Sequence, residues 1–296
     1  MNIHKKESSN IEDLINRGNQ KHINFSLENI KDALQEIKNP CKNIPAIQIA
    51  GTNGKGSIVS FLKSTLKVAG IKAGITTSPH LKCWTERISI NDELISISDF
   101  KKRIFNFSKT ANKHSLSSFE LTVLIALDYF GKKKVELLLL EVGLGGRFDA
   151  TTAHPNRPIV AFGPIGLDHC EYLGNKIEDI TEEKAQIITR DSHVISAHQH
   201  PLARRIIENH VYTKGAHIKW VKSIDSGWEL GLRGKFQQQN AAVAKGVLDV
   251  LKTMGWDIKN NHIKEGLKIA KWEGRLQKAY WRELPILIDC AHNPHA

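Results

Sequence analysis

Residues 50–57 read Ala50-Gly51-Thr52-Asn53-Gly54-Lys55-Gly56-Ser57, set between a β-prone run at 44–50 and a helical pattern from about 57 to 69 that stops at Gly70. A second β-prone run, 72–77, follows. Strand, glycine loop, helix, strand is one βαβ unit, and it commits this part of the chain to a layered α/β arrangement. The loop sits where a phosphate-binding loop has to sit. Glycines bring backbone N–H groups close to phosphate oxygens, and the helix N-terminus adds positive potential. Lys55 can reach β- and γ-phosphates, and Ser57 can ligate Mg²⁺. The string is not the standard G-x-x-x-x-G-K-[ST]: Ile49 stands five before Gly54, and Gly56 separates Lys55 from Ser57. The competing reading is a tight strand–helix turn with incidental glycines.

The other elements follow the same alternation. Helical patterns cover 118–130, 177–189 and 240–254, and a helix starts near 26–30 with Ser26 as N-cap candidate. Short β-prone runs lie at 159–162, 194–196 and 285–289. The first forty residues read as a polar, helical lead-in. The run 135–142, with four successive leucines, reads as a parallel strand buried on both faces. It ends in Glu141, at the carboxyl end where α/β folds place ligands. Beside a phosphate loop such an acid completes a magnesium shell; alone it is a solvated strand end. Gly143, Gly145 and Gly146 keep the next turn open, and Arg147 and Asp149 carry polar groups into the same region.

Asp168-His169 again places polar groups after a short strand. His169 is a candidate metal ligand that Asp168 can orient, against the ordinary fate of a hydrogen-bonded loop histidine. Lys184, in Glu182-Glu183-Lys184-Ala185, reads by itself as an exposed helix lysine. His198/His200 and His292/His295 read as surface or loop residues, not zinc sites. The four cysteines, Cys41, Cys83, Cys170 and Cys290, are scattered without C-x-x-C spacing, which fits a reducing cytoplasm. The apolar run near the middle, 137–140, is far short of the roughly 20 residues that span a bilayer. No secretory signal is visible at the N-terminus. Lys and Arg number 42 against 31 Asp and Glu, a formal charge of +11 that favours anionic partners. The basic residues are spread out rather than gathered into a nucleic-acid arm.

Several blocks in order make the chain resemble the folylpolyglutamate synthase/dihydrofolate synthase family of the Mur ligase superfamily. They are AGTNGKGS at 50–57, SPHL at 78–81 with Glu86-Arg87-Ile88, Phe119-Glu120, EVGLGGRFDAT at 141–151 and GLDH at 166–169. Leu173-Gly174, Glu183-Lys184-Ala185, Gln237-x-x-Asn240-Ala241, Gly274-Arg275-Leu276-Gln277 and DCAHNPHA at 289–296 complete the series. The resemblance implies a P-loop, three-layer α/β/α domain of the Mur-ligase central type over residues 1–280. Residues 281–296 would then be the first strand of a C-terminal Rossmann-like domain, cut short at Ala296.

The implied activity is ADP-forming carboxylate–amine ligation. ATP and Mg²⁺ convert a carboxylate of dihydropteroate or folate to an acyl phosphate, and L-glutamate attacks it. By matching position, Gly54, Lys55, Gly56 and Ser57 bind the triphosphate, with Asn240, Arg275 and Asp289 as further ATP contacts. Ser57, Ser78 and Glu141 hold one Mg²⁺ and His169 a second, aided by Lys184 as a carbamate; Lys55, His169 and Lys184 form the catalytic set. Ser118, Phe119, Glu120, Phe148, Asp149 and Ala150, with 25–27, match the pterin-binding surface. The family's usual residues are replaced by Gln186 after Lys184-Ala185, Glu273 before Gly274, Gly163-Pro164-Ile165 before Gly166, and Phe236 before Gln237. The expected protein is a cytoplasmic monomer with small-molecule partners only, neither nucleic acid nor membrane. A peptidoglycan-precursor ligase and a nucleotide-binding remnant without turnover are the alternatives.

Overall fold

The computed structural model describes residues 11, 14, 15, 25–294 and 296. Most of the polar lead-in, and His295, lie outside these residues. The helices are α1 (Glu28–Glu36), α2 (Lys55–Val68), α3 (Ile97–Lys113), α4 (Ser118–Lys133), α5 (Cys170–Leu173), α6 (Ile177–Ala185), α7 (Pro201–Lys214), α8 (Gln237–Thr253) and α9 (Asn260–Ile269). The strands are β1 (Ala46–Ala50), β2 (Ala73–Thr76), β3 (Ile88–Ile90), β4 (Glu93–Leu94), β5 (Leu137–Glu141), β6 (Ile159–Phe162), β7 (His193–Ser196), β8 (His217–Trp220), β9 (Gln277–Trp281) and β10 (Leu284–Ile288).

Eight strands form one sheet in the order β4-β3-β2-β5-β1-β6-β7-β8. The run β2-β5-β1-β6-β7-β8 is parallel, and β3 and β4 add antiparallel at one edge. Alternation along each central strand divides the core. Leu137 and Leu139 of β5 join Ile47, Ile49, Ile159 and Ala161 in a core beneath α2, α8 and α9. Leu138 and Leu140 join the opposite core, with Phe100 of α3 and Leu124 and Phe130 of α4. Beside it, Val160 and Phe162 pack with Ile180 of α6 and Ile207 of α7. The four leucines are therefore shared two and two between layers. Each fully buried leucine contributes roughly 1.5–3 kcal/mol relative to exposure. The result is the expected three-layer α/β/α arrangement.

Helix starts explain the register of the layers. Ser96 caps α3 by accepting from Asp99 N at 3.0 Å, and Ser117 and Glu120 form a capping box on α4. Arg103 of α3 pairs with Asp128 of α4, both buried, which fixes how these two helices lie together. Three expected boundaries move. Ser26 accepts from Glu28 N one residue before the cap position, which Leu27 occupies. α2 begins at Lys55, inside the glycine loop rather than at 57. α6 ends at Ala185 instead of 189, because the chain turns there: Ile187 N and Ile188 N bond back to Lys184 O and Ala185 O.

The strand expected at 285–289 is not isolated. β10 pairs antiparallel with β9, Ile286 opposite Ala279, to form a separate two-stranded sheet. That hairpin crosses the expected boundary at 280/281. It exposes Tyr280 (76 %), Trp281 (64 %), Leu284 (65 %) and Leu287 (58 %).

Candidate active site

β1 ends at Ala50 and the chain turns through the glycine loop into α2. Gly54 takes φ +82°, and a Cβ there would lie 2.3 Å from Asn240 Oδ1. Glycine is needed both for the left-handed backbone and for this approach. Lys55 folds back, its Nζ donating to Gly51 O at 3.0 Å and Thr52 O at 3.2 Å. Its ammonium is held below the usual lysine value by burial, opposed by the charges of Glu141 and Asp168. Ser57 is buried and accepts from Gln237 Nε2 at 3.2 Å, while Asn240 Nδ2 donates to Gln237 Oε1 at 3.0 Å. The start of α8 thus locks onto the phosphate loop through Gln237, to which the sequence reading assigns no role of its own.

The neighbouring strand ends supply acids. Glu141 closes β5, fully buried, and burial pushes its carboxyl up to about 7 against the pull of Lys55. Ser78, in the loop after β2, donates its N–H to Glu141 Oε2 at 3.3 Å. Its hydroxyl is buried without a hydrogen-bond partner. A buried orphan oxygen beside a buried carboxylate is a donor set suited to a hard cation such as Mg²⁺, which completes its shell with phosphate and water. Among the described residues no three His, Cys, Asp or Glu side chains are grouped so as to hold a metal ion.

Beyond β6, the loop 163–169 is braced from both sides. Thr52 Oγ1 donates to Gly166 O at 2.9 Å and accepts from Gly166 N at 3.0 Å. Buried Gln199 accepts from Ile165 N and donates to Gly163 O, both at 2.9 Å. Gln199 is hidden in the sequence between two exposed histidines, and His200 caps α7. Asp168 Oδ2 lies 3.9 Å from His169 Nε2 and 3.6 Å from His292 Nε2, and accepts from Asn293 Nδ2 at 3.0 Å. Asn293 also pairs with Asn53 of the phosphate loop at 3.1 and 3.2 Å. His292, expected as a loop residue, is exposed but belongs to this corner.

Lys184 corrects its reading as an exposed lysine: it is only 5 % exposed. Its Nζ donates a long hydrogen bond, 3.5 Å to Gly145 O. Burial, with Lys55 nearby, brings the amine down to about 7. The close approach comes from Gly146, where a Cβ would meet Glu183 O at 2.7 Å and Lys184 Cα at 3.0 Å. Arg147 N donates to Glu183 O at 3.0 Å, tying the 143–152 loop to α6.

The expected substrate residues gather around Gly143. A Cβ there would lie 2.9 Å from Phe119 Cζ, 3.2 Å from Ser78 Oγ and 3.3 Å from Asp149 Oδ2. Ser118 and Phe119 are half-buried, while the Glu120 carboxylate accepts from Ser117 N at 2.8 Å and caps α4. Arg147 stacks over Phe148 at 4.6 Å, and Ala150 is buried. Arg275 and His292 share with Gly56, Ser78, Glu141 and Trp272 an open cleft of about 480 Å³. Asp289 is exposed and accepts from Leu276 N and Ala291 N at 2.9 and 2.8 Å.

With this geometry in view, similarity to characterised proteins is decisive. The dihydrofolate synthetase of Saccharomyces cerevisiae is 33 % identical over 301 residues, spanning 93 % of this chain and 70 % of the yeast protein. The chain belongs to the dihydrofolate synthase/folylpolyglutamate synthase family. The Escherichia coli dihydrofolate synthase/folylpolyglutamate synthase is also 33 % identical, over 84 % of this chain and 61 % of its own length. Mycobacterium tuberculosis folylpolyglutamate synthase, solved with ADP and AMPPCP, superposes with a TM-score of 0.88 at 27 % identity, covering 99 % of this chain and 72 % of that one. A further family structure, solved with AMPPCP and folate, has the same TM-score at 26 % identity, covering 99 % and 77 %. No family model matches the chain. No described helix is long and apolar enough to cross a membrane.

Proposed function

We propose that this protein is an ATP- and Mg²⁺-dependent ligase that joins L-glutamate to dihydropteroate or a folate through an acyl phosphate. The observation that carries the reading is the meeting, at the carboxyl ends of β1, β2, β5 and β6, of a phosphate loop, a buried serine–glutamate pair and a buried lysine of low basicity. The charges of Glu141, Asp168 and Asp149 all act on Lys55, and those of Lys55, Asp168 and Asp149 on Lys184.

In this reading the N–H groups at the start of α2 and the Lys55 ammonium receive the triphosphate. Ser57, Ser78 and Glu141 hold one Mg²⁺; His169 and Lys184, the latter as a carbamate, hold a second. When bound, these ions supply charge neutralisation between phosphate and carboxylate oxygens. Asn240 and Arg275 border the nucleotide, and Asp289 keeps the 275–276 backbone in place for it. Phe119, Phe148 and Ala150, with Ser118 and the loop built on Asp149 and Glu120, form the surface for the pterin side. In this reading residues 1–280 act as the nucleotide-binding unit and 281–296 belong to a second, substrate-closing one, with the β9–β10 hairpin straddling the boundary between them.

The test is ADP release with dihydropteroate and glutamate together. Turnover requires both substrates and Mg²⁺. Nucleotide binding without glutamate-dependent turnover would favour the remnant, and turnover only with a UDP-sugar peptide would favour a peptidoglycan-precursor ligase.

A further inference from the structure

Asp149 is buried, yet among the described residues no cation pairs with it. Its carboxylate accepts from Gly143 N at 2.8 Å, Leu144 N at 3.1 Å, Thr151 N at 3.0 Å and the Thr151 hydroxyl at 2.5 Å. The Thr151 hydroxyl accepts from Gln48 Nε2 at 3.0 Å. The same amide donates at 2.7 Å to the Thr152 hydroxyl, which donates to Gly146 O at 2.7 Å. Gln48 Oε1 accepts from Arg157 Nη1. Arg157 otherwise donates to two backbone carbonyls, His154 O at 2.8 Å and Ile187 O at 3.0 Å. Among the described residues no carboxylate pairs with this arginine.

Two features single this chain of bonds out. Gln48 is the one polar residue of β1, Ala46–Ala50, and is wholly buried in the centre of the sheet. An uncompensated polar group there is expensive, so its amide has to be fully used. Every donor also points the same way, from guanidinium through amide and hydroxyl to carboxylate. Such a chain strengthens cooperatively, and it connects a cation to a buried anion without direct contact. Burial acts on both ends, holding the guanidinium down to about 10 and the Asp149 carboxyl above its ordinary value.

We infer that Gln48 and Arg157 are positioning residues, a one-way relay from behind the sheet that sets the 143–152 loop and joins it to the turn three residues past Lys184. The relay rests on the functional reading only where the loop is taken as the pterin surface.

Gln48→Glu separates positioning from stability. The introduced carboxylate can pair with Arg157 directly but cannot donate to either threonine. If the network serves only to satisfy Arg157, the variant folds and behaves like wild type. If the relay sets the loop, the variant keeps its melting temperature, but amide exchange at Gly143, Leu144 and Thr151 accelerates about tenfold or more. Dihydropteroate affinity then falls by a similar factor, while Mg–AMPPCP affinity holds. Thr152→Val, which removes one acceptor of the Gln48 amide and the donor to Gly146 O without adding charge, speeds exchange in the same segment and covers the case of an unfolded Gln48→Glu. Unchanged exchange in both variants overturns the relay. Failure of the wild type to bind dihydropteroate overturns the substrate reading instead, and exchange still decides the relay.

Discussion

Lys184 gives the sharpest quantitative prediction. A carbamate forms only from the neutral amine. An ordinary lysine, near 10.4, is about 0.4 % neutral at pH 8. With the Lys184 amine near 7, about 90 % is neutral at that pH, a gain of roughly 200-fold in reactive amine. Burial is the first cause: Gly146 lets the loop close over the side chain, and the hydrogen bond from Nζ to Gly145 O is long. Incubation with ¹³C-bicarbonate at pH 8 should therefore give one carbamate resonance, fading below pH 7 and missing in Lys184→Met. The same shift has a stability signature. Below pH 7 both folded and unfolded states are protonated, and burying the charge costs about 5 kcal/mol. Between about 7 and 10.4 the unfolded state binds more protons, so stability rises with pH. Lys184→Met removes that dependence, so it should be several kcal/mol more stable than wild type at pH 6, with a margin that narrows at alkaline pH. No carbamate signal at pH 8 together with parallel stability curves for the two proteins would refute the argument.

Three other substitutions probe the same region. Gly54→Ala forces a side chain into left-handed backbone and onto Asn240 Oδ1; nucleotide affinity, read with a fluorescent ATP analogue, should fall at least about tenfold. Ser78→Ala deletes a buried oxygen that has no protein partner. Chemical denaturation should change by less than about 0.5 kcal/mol, whereas the Mg²⁺ concentration needed for nucleotide binding should rise about tenfold; an unmoved titration would remove Ser78 from the metal site. His154 is wholly buried, with Nε2 2.9 Å from Ile44 O, and burial holds it down to about 4. It resists protonation while the unfolded chain takes up a proton near 6.5. Stability is therefore intact above pH 6.5 and falls by up to about 3 kcal/mol as pH drops to 4. Denaturant melts of His154→Asn at pH 7 and 5 should lack that part of the fall.

The layered fold was legible because periodicity and the glycine loop both report on the backbone. Strand β5 is the clearest case: four leucines and a terminal glutamate mark a strand covered on both sides, and Leu137–Glu141 forms as read. The edges were less legible. β3 and β4 are three and two residues long, too short for an alternation to register. The partner of β10, β9 (Gln277–Trp281), was not legible as a strand because it lies inside a segment noticed for its Gly-Arg-Leu-Gln block. At the site, position in a motif pointed to Lys184, but burial is a property of the assembled layers. An acidic helix turn gives no sign that Gly146 will let a loop cover the lysine. Gln48, Gln199 and Gln237 escaped for a related reason. A lone amide advertises no chemistry until its long-range hydrogen-bond partners, brought from 34 to 180 positions away, are known.

The same cause, burial, pushes Glu141 up and Lys184 down, both to about 7. The protein thus builds at the strand ends a pocket whose acid and base both titrate near physiological pH, and whose phosphate-loop lysine is also held below its ordinary value by burial. Such a site gains little from pairing these groups with one another and much from ions brought by a substrate. In the proposed reading a divalent cation beside Glu141 would restore its charge, and carbamate formation would turn Lys184 from a base into an anion. Ser78 adds an oxygen that no protein group uses. Tight packing at Gly146 helps to make Lys184 responsive, since an exposed lysine would be fully charged beforehand. Gly146 therefore matters less as a flexible residue than as the means by which the loop comes close against Lys184.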